Sequence, residues 1–529
     1  KDKCLPQATH QQIEHIHESL LFYDEHTFGA SESVSDPLCE NSQVQWGEKS
    51  AYAWEAVKRT QMLYETSVGL LQGDLRRGKN PTLTIFNTLN WKRSEMLTVY
   101  IDFEVIPRNQ FFEITDFQGH SLKVQPIRYR REGCYYAIFA EDIPPMGYKT
   151  FEIVFKQPST DTGTITINNA SIENHFYKLQ LNPDKGTIQS LYDKELNCEL
   201  VDSSSPWELG AFIYEKLGNR DQLAQYRLDD YNRTGLSECR IIDSSNGPIY
   251  QRILLQGKSP GTDEAFGVNL EIKLYHDTKR IELEYAIKRL PETDPSGIYV
   301  AFPFQLPEGK LAFDVQGGTV ISGKNQLEGT STDWNTVQNF VSVQNNQAQI
   351  IIGSSLIPLY QLGDINLGKF QYQKQYERPH VYSWVMNNYW NTNFKASQEG
   401  EFRWSYHLTS SVDPSNNLAT KFGWSSRIPL YARVMPTGTE NHKPTEYSAF
   451  HFEKDNFLMT SCTPSKEEGY ILLNIREIDG KRTNLRILNE DGQTIPFTIV
   501  NAIEEKLENE TSEHIFEGYQ NKFIKIKRF

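Results

Sequence analysis

A mainly β chain, opened by a short helical bundle, is the fold class that this sequence predicts. Three observations predict it. Hydrophobic periodicity follows the helical repeat up to about residue 78 and switches to a period of two after Pro81. Aromatic residues make up 12% of the chain, with 27 Tyr and 28 Phe, and such side chains pack well on pleated surfaces. At 529 residues the chain exceeds what one core absorbs, and its length suggests about three to five domains. Four units are expected: a helical bundle at 1–78, a small β-sandwich at 82–156, a large antiparallel super-sandwich at 164–425, and a C-terminal β-sandwich at 428–529.

The helical part comes first. Residues 5–25 carry Ile13, Ile16 and Leu20 at helical spacing after Thr9, a candidate N-cap. His10, His15 and His17 lie nearby, but their spacing points them to different helix faces, so a solvated face is expected rather than a metal site. Next, Asp24, Glu25 and His26 sit between an apolar helix end and a small-residue loop. Burying two acids and an imidazole is costly unless they are paired or bind a cation. Two readings stay open here, a metal ligand set and a helix end running into a surface loop. A second helix is expected at 47–77. Val57, Gln61, Tyr64, Val68, Leu71 and Leu75 form its stripe, Arg76, Arg77 and Gly78 favour its C-terminus, and Pro37 and Gly47 bound the loop before it.

The β part starts at 83–93 and continues to a strand near 147–151, followed by a Pro/Ser/Thr/Gly linker at 157–163. The stretch 172–202 then organises everything downstream. Tyr177, Leu179 and Leu181 alternate with polar neighbours, as a half-buried strand requires. Asn182-Pro183-Asp184-Lys185-Gly186 supplies turn chemistry, and strands follow at 187–193 and near 198–201. Further strands are expected at 280–286 and 298–306. Residues 383–394 are the best sugar-binding candidate in the chain, with Asn387, Asn388, Tyr389, Trp390, Asn391 and Asn393 as contacts. Asparagine amides donate and accept at once, as paired hydroxyls require, and the aromatic rings offer apolar faces to a pyranose. The alternative is a strand end whose amides cap a turn and whose aromatics lie in the core. A loop is expected at 413–417, then short strands at 430–434, 448–452, 470–475, 483–487, 495–500 and 522–529, spaced as in a final sandwich.

Bulk chemistry narrows the partners. A net charge of −14 argues against a nucleic-acid backbone and fits a neutral ligand such as sugar. No run approaches the roughly 20 apolar residues of a membrane span. Six scattered cysteines show neither zinc-ribbon spacing nor a dense disulfide framework, and read as free thiols or one or two bridges. Sequons occur at Asn169, Asn232 and Asn509, near chance in a chain so rich in Asn, Ser and Thr. The chain opens mid-pattern at Lys1-Asp2-Lys3-Cys4, and an N-terminal part of a longer protein is expected before it. The compartment stays open, with a periplasmic or secreted location favoured over a cytoplasmic one.

The string ENHFYKLQLNPDKGTIQSLYDKELNCELVD at 173–202 resembles the start of the large C-terminal β domain of glycoside hydrolase family 38, the α-mannosidases. Segments at 83–93 and 143–151 are similar to the family's first β-sandwich, with Thr88 in place of the usual proline. Segments at 313–318, 333–338 and 383–394 follow in the family's order. The resemblance implies a galactose-mutarotase-like super-sandwich and a retaining, zinc-dependent mannosidase acting on mannosides. It places the nucleophile, the acid/base and most zinc ligands in an N-terminal catalytic domain that this sequence does not resemble anywhere. No catalytic residue is therefore assigned. The family's helical region carries a His-Asp pair whose histidine completes the zinc site; counting back from Gly29, Asp24 and Glu25 fall at that pair and His26 is displaced by two. Asp24 and His26 are the metal candidates. The expected function is the C-terminal portion of an α-mannosidase-like hydrolase, inactive alone, and the alternative is a non-catalytic carbohydrate-binding β protein.

Overall fold

The computed structural model describes residues 7–157 and 170–528. The start of the first helix at residues 5–6, Cys4, most of the linker at 157–163 and the Asn169 sequon lie outside them, as does Phe529.

Two helices form a hairpin, α1 (Gln7–Tyr23) and α2 (Glu40–Leu71). Thr9 falls inside α1, and α2 begins seven residues before the expected start, so Gly47 is helical rather than a loop boundary. The cap is the Cys39 thiol, which accepts from the Ser42 N–H at 3.5 Å. Cysteine is a weak signal for a cap, since its thiol is a weak acceptor. The expected apolar stripe is only partly buried. Val68 and Leu75 are covered, whereas Val57, Tyr64 and Leu71 remain exposed. Lys49 and Ala56 are buried instead, on the face turned to α1 and the loop after it. His10, His15 and His17 are all exposed.

Beyond the hairpin, every strand pair among the described residues is antiparallel, which suits a chain whose strands alternate buried and exposed positions. The small sandwich packs a three-stranded sheet (Arg93–Asp102, Gly133–Ile143 and Lys123–Tyr129) against a five-stranded one around Leu83, Ile85, Ile138 and Phe151. Two strands of that larger sheet come from far along the chain. Tyr431–Met435 pairs with Thr82–Asn87, and Glu446–Ser448 pairs with Gly147–Phe155. Both form near their expected positions but complete the small sandwich, because their partners would otherwise be open edges.

The large unit stacks a six-stranded and a nine-stranded sheet, with a separate four-stranded sheet made by 171–199. Tyr177, Leu179 and Leu181 point inward and Lys178 and Gln180 outward, as the alternation required. Gly186 takes φ +66° in the turn that follows, a conformation costly for a residue with a Cβ. One core lies between the sheets, with Phe212, Ile253, Leu283, Val300, Phe302 and Tyr406 fully covered. Each such side chain contributes on the order of 1.5–3 kcal/mol by leaving water.

At 413–417 the expected loop is the entry to a helix, α3 (Asn416–Arg427). Ser415 Oγ accepts from the Leu418 N–H at 3.2 Å, and Ala419, Gly423 and Trp424 are buried. Ser after Asp-Pro suits a loop, yet here it caps a helix. The C-terminal unit closes the chain with a four-stranded sheet and two short ribbons around Phe457, Leu473, Ile499 and Ile524.

Candidate functional site

The corner after α1 is built around Glu25 and Lys49. Lys49 Nζ donates to the Phe22 carbonyl at 2.7 Å and the Glu25 carbonyl at 3.2 Å, placing a cation at the negative end of α1. The Glu25 carboxylate accepts from Thr27 Oγ1 at 2.6 Å and from Lys49 Nζ at 3.0 Å. Those bonds, the Thr27 hydroxyl first and Lys49 next, pull its pKa down to about 2. Of the cluster's two acids, Glu25 is thus the one spent on holding the turn. Asp24 is exposed and its side chain makes no hydrogen bond among the described residues. His26 is also exposed, with Nδ1 against Glu25 Oε1.

This corner lies beside the other segment singled out in the sequence. The Phe28 N–H donates to the Asn393 carbonyl at 2.8 Å, and the Asn393 N–H donates to the Ala30 carbonyl at 3.3 Å. Thr392 Oγ1 adds a bond to the Ser31 carbonyl at 3.2 Å. Gly29 sits in this zipper at φ +122°, and a Cβ there would press on Ser33 Oγ at 3.3 Å.

Within 387–393 the side chains divide in two. Asn388 and Tyr389 are buried and committed to the fold. Asn388 Oδ1 accepts from the Ser296 N–H at 2.7 Å, and its Nδ2 faces the carbonyls of Asp294 and Ala396 at 2.9 Å and of Glu292 at 3.2 Å. The Tyr389 hydroxyl donates to Glu215 Oε1 at 2.7 Å. Glu215 is fully buried; its other oxygen takes Arg233 Nε, and Tyr299 OH reaches Oε1 at 3.2 Å. Burial holds both tyrosine hydroxyls well above their ordinary pKa, so they remain donors. These two residues position the loop, which leaves Asn387, Trp390 and Asn391 exposed on it. Asn393 is half-buried, tied by its backbone, with Oδ1 accepting from Thr392 Oγ1 at 3.3 Å.

Between the hairpin and the large unit the same loop walls a cleft of about 510 Å³. Trp46, Ser33 and Leu38 line one side, and Glu292, Asp294, Phe394, Lys395 and Glu399 line the other. Lys395 Nζ lies 3.5 Å from the centre of the Trp46 ring, and burial lowers its pKa. Trp46 Nε1 is buried with no acceptor among the described residues. Lys216 holds Glu292 at 3.0 Å and Asp294 at 2.9 Å. Sequence reasoning missed Trp46 and Lys395, since only the folded chain brings them together.

Replacing Asn388 by Ala should therefore act on the loop before it acts on any ligand. Three backbone carbonyls and one N–H lose their partner, and we expect a loss of about 2–4 kcal/mol. Urea midpoints measure it, and limited proteolysis should show new cleavage within 387–396. Unchanged stability and an unchanged digest would contradict the assignment.

The model of the glycosyl hydrolases family 38 C-terminal domain matches residues 172–370. No curated protein matches the chain. Among solved structures it is similar to an alpha-mannosidase from Enterococcus faecalis V583, with 12% identity and a TM-score of 0.73 over 98% of this chain and 64% of that one. It is also similar to a protein in the glycosyl hydrolase family 38 from Enterococcus faecalis, with 13% identity and a TM-score of 0.72 over 98% of this chain and 66% of that one. At such identities the likeness is one of fold, and the chain spans just under two thirds of each. Residues 172–370 thus match the glycosyl hydrolases family 38 C-terminal domain, within a chain that shares the fold of these two proteins.

Proposed function

We propose that this chain is the C-terminal portion of an α-mannosidase-like glycoside hydrolase acting on mannose-containing glycans. The family 38 match over 172–370 carries the reading. Retaining or inverting, a glycosidase needs two carboxyl groups flanking the bond it cuts. The acids of the cleft are already engaged: Glu292 and Asp294 with Lys216, and Glu399 with Ser397 Oγ at 3.0 Å. We assign none of them a catalytic role and place the pair in a preceding domain.

That domain would cover the exposed side of the hairpin. Leu21, Phe22, Trp54, Val57 and Met62 present large apolar side chains there, and Phe22 stacks on Tyr52 at 5.4 Å. Exposed apolar side chains in such number suit contact with a further domain. The cleft and the exposed Asn387, Trp390 and Asn391 would contribute the glycan contacts.

Zinc is assigned to the longer protein. Asp24 and His26 are suitable in donor type, a carboxylate oxygen and an imidazole nitrogen, and both are exposed. Among the described residues no three such donors converge, and a catalytic zinc takes about three protein ligands. When bound, the ion would hold neighbouring sugar hydroxyls; this chain would orient that ion and wall the cleft.

An aryl α-mannoside supplied with zinc tests the reading. The isolated chain should give no turnover above a blank, while a longer chain with the preceding region should hydrolyse it and lose zinc on Asp24→Ala or His26→Ala. Turnover by the isolated chain would overturn the division of labour. Unchanged zinc content in both variants would remove the metal from this corner. The second reading, a carbohydrate-binding protein without catalysis, is favoured by the exposed Trp390 between two exposed asparagines. It would prevail if the natural reading frame starts just before Lys1 and the chain still binds mannosides.

A further inference from the structure

A second cavity, independent of the proposed glycosidase function, lies where three units meet. It measures about 220 Å³, and its walls come from the small sandwich (Ser94, Met96), the large unit (Tyr275, Arg280) and α3 (Phe422, Ser425). Arg280 decides its chemistry. The guanidinium lies 5.9 Å from the centres of both the Tyr275 and the Phe422 rings. Its Nη2 donates to His407 Nδ1 at 2.7 Å, and burial keeps that imidazole neutral by lowering its pKa to about 3. The Nε–H is buried and has no acceptor among the described residues. Among the described residues no carboxylate lies within 4.0 Å of the guanidinium. The carboxylate beyond His407, Glu282, is already taken by Lys273 Nζ at 2.9 Å and Tyr275 OH at 2.9 Å.

Most of the remaining polar groups are cations or hydroxyl donors. Glu95 is the one acid on the wall, and Arg93 holds both its oxygens, at 3.0 and 2.7 Å. Lys421 also lines the cavity, and its partner Asp455 is on the surface, where such a pair is weak. Lys279 is neutralised by Asp193 and Glu195 at 2.8 and 2.6 Å. Ser425 Oγ makes no hydrogen bond among the described residues. Ser94 Oγ accepts from the Asp142 N–H at 2.9 Å and donates to nothing among the described residues. An arginine with no carboxylate in direct contact, whose nearest counter-charge Glu282 is shared with Lys273 and lies beyond His407, a lysine and two hydroxyl donors surround the space, while Met96, Leu418, Phe422 and Tyr275 supply apolar wall.

We propose that this junction is a binding site for a phosphate group, with Arg280 as its principal ligand and Lys421, Ser94 and Ser425 completing the donor set. Guanidinium and hydroxyl donors suit a tetrahedral oxyanion, since charged hydrogen bonds are the stronger ones. The volume exceeds one phosphate, and the apolar wall leaves room for a small organic substituent. The shared chemistry is a phosphate group, from inorganic phosphate or from a monoester such as a hexose phosphate. Because the ligand would touch three units at once, occupancy should tighten their junction.

Titrating the chain with potassium phosphate against chloride at constant ionic strength tests this, read by ³¹P line broadening and by the melting temperature. Mannose 6-phosphate and unmodified mannose form the comparison arms. Saturable binding of phosphate or of the ester, with a raised melting temperature and no response to mannose, supports the site; tighter binding of the ester identifies a monoester as the ligand. Arg280→Gln should weaken binding on the order of tenfold or more. Because that variant removes a half-buried side chain, Ser425→Ala and Lys421→Met serve as independent probes and should each weaken binding severalfold. Binding that none of the three alters, or no saturation by either phosphate form, would overturn the proposal.

Discussion

Glu215→Gln should be among the most destabilising single substitutions in this chain, costing about 3–5 kcal/mol. The change keeps the shape of the side chain and removes one charge. Glu215 is fully buried, and Arg233 Nε bonds its carboxylate. Without that charge, the Arg233 guanidinium stays largely buried with no counter-ion. The tyrosine hydroxyls of Tyr299 and Tyr389 would keep an acceptor, so the loss should come from the arginine. A double-mutant cycle separates the two contributions. Glu215→Gln with Arg233→Gln should recover part of the stability that the first change removes, as measured by urea unfolding. A loss below about 1 kcal/mol in the single variant, or no recovery in the double, would show that the pair does not carry this energy. The consequence reaches the candidate site through one bond, since Tyr389 fixes the loop that exposes Trp390 and Asn391. If the loop contacts mannosides as proposed, their affinity should fall in the single variant even in conditions where the chain remains folded.

Local patterns and long-range pairings were unequally legible in the sequence. Alternation over 177–182 gave strand, face and turn together, because a period of two is a local property of a half-buried strand. Helix α3 escaped because Asp-Pro-Ser-Asn-Asn is equally good turn chemistry, and only packing of Ala419, Gly423 and Trp424 decides between cap and turn. The stripe on α2 was legible as a pattern, but its partner was not: Val57 and Leu71 face outward, while a lysine occupies the buried face to satisfy the end of α1. Asn388 and Trp390 looked alike as sugar contacts. Their difference lies in Ser296, Asp294 and Ala396, which the sequence gives no means of placing beside them. The meeting of Phe28 with Asn393 rests on backbone hydrogen bonds, which leave no side-chain signature at all.

The junction of the large and C-terminal units should respond to pH through Asp314. This carboxyl is 1% exposed, on strand Lys310–Val315. Asn339 Nδ2 donates to Oδ2 at 3.0 Å, but Oδ1 is buried without a hydrogen bond, and Arg476 Nη2 stops at 3.7 Å. Arg476, from the C-terminal unit, spends Nη1 on the Gln316 and Val315 carbonyls. The attraction is too loose to offset desolvation, and burial pushes the Asp314 carboxyl up to about 6. An acid raised in the folded state binds its proton more tightly there than in the unfolded chain. Its stabilising contribution is therefore complete below about pH 4 and lost as pH rises through 6. From an ordinary value near 4, that loss is roughly 3 kcal/mol. Asp314→Asn cannot titrate, so the stability difference between variant and native chain should move by about 3 kcal/mol in the variant's favour between pH 4 and pH 7.5. Comparing the two proteins at each pH cancels the titration of every other group. A difference that stays constant across the range would mean that Asp314 remains ionised in the folded chain throughout, with Arg476 close enough to hold its charge.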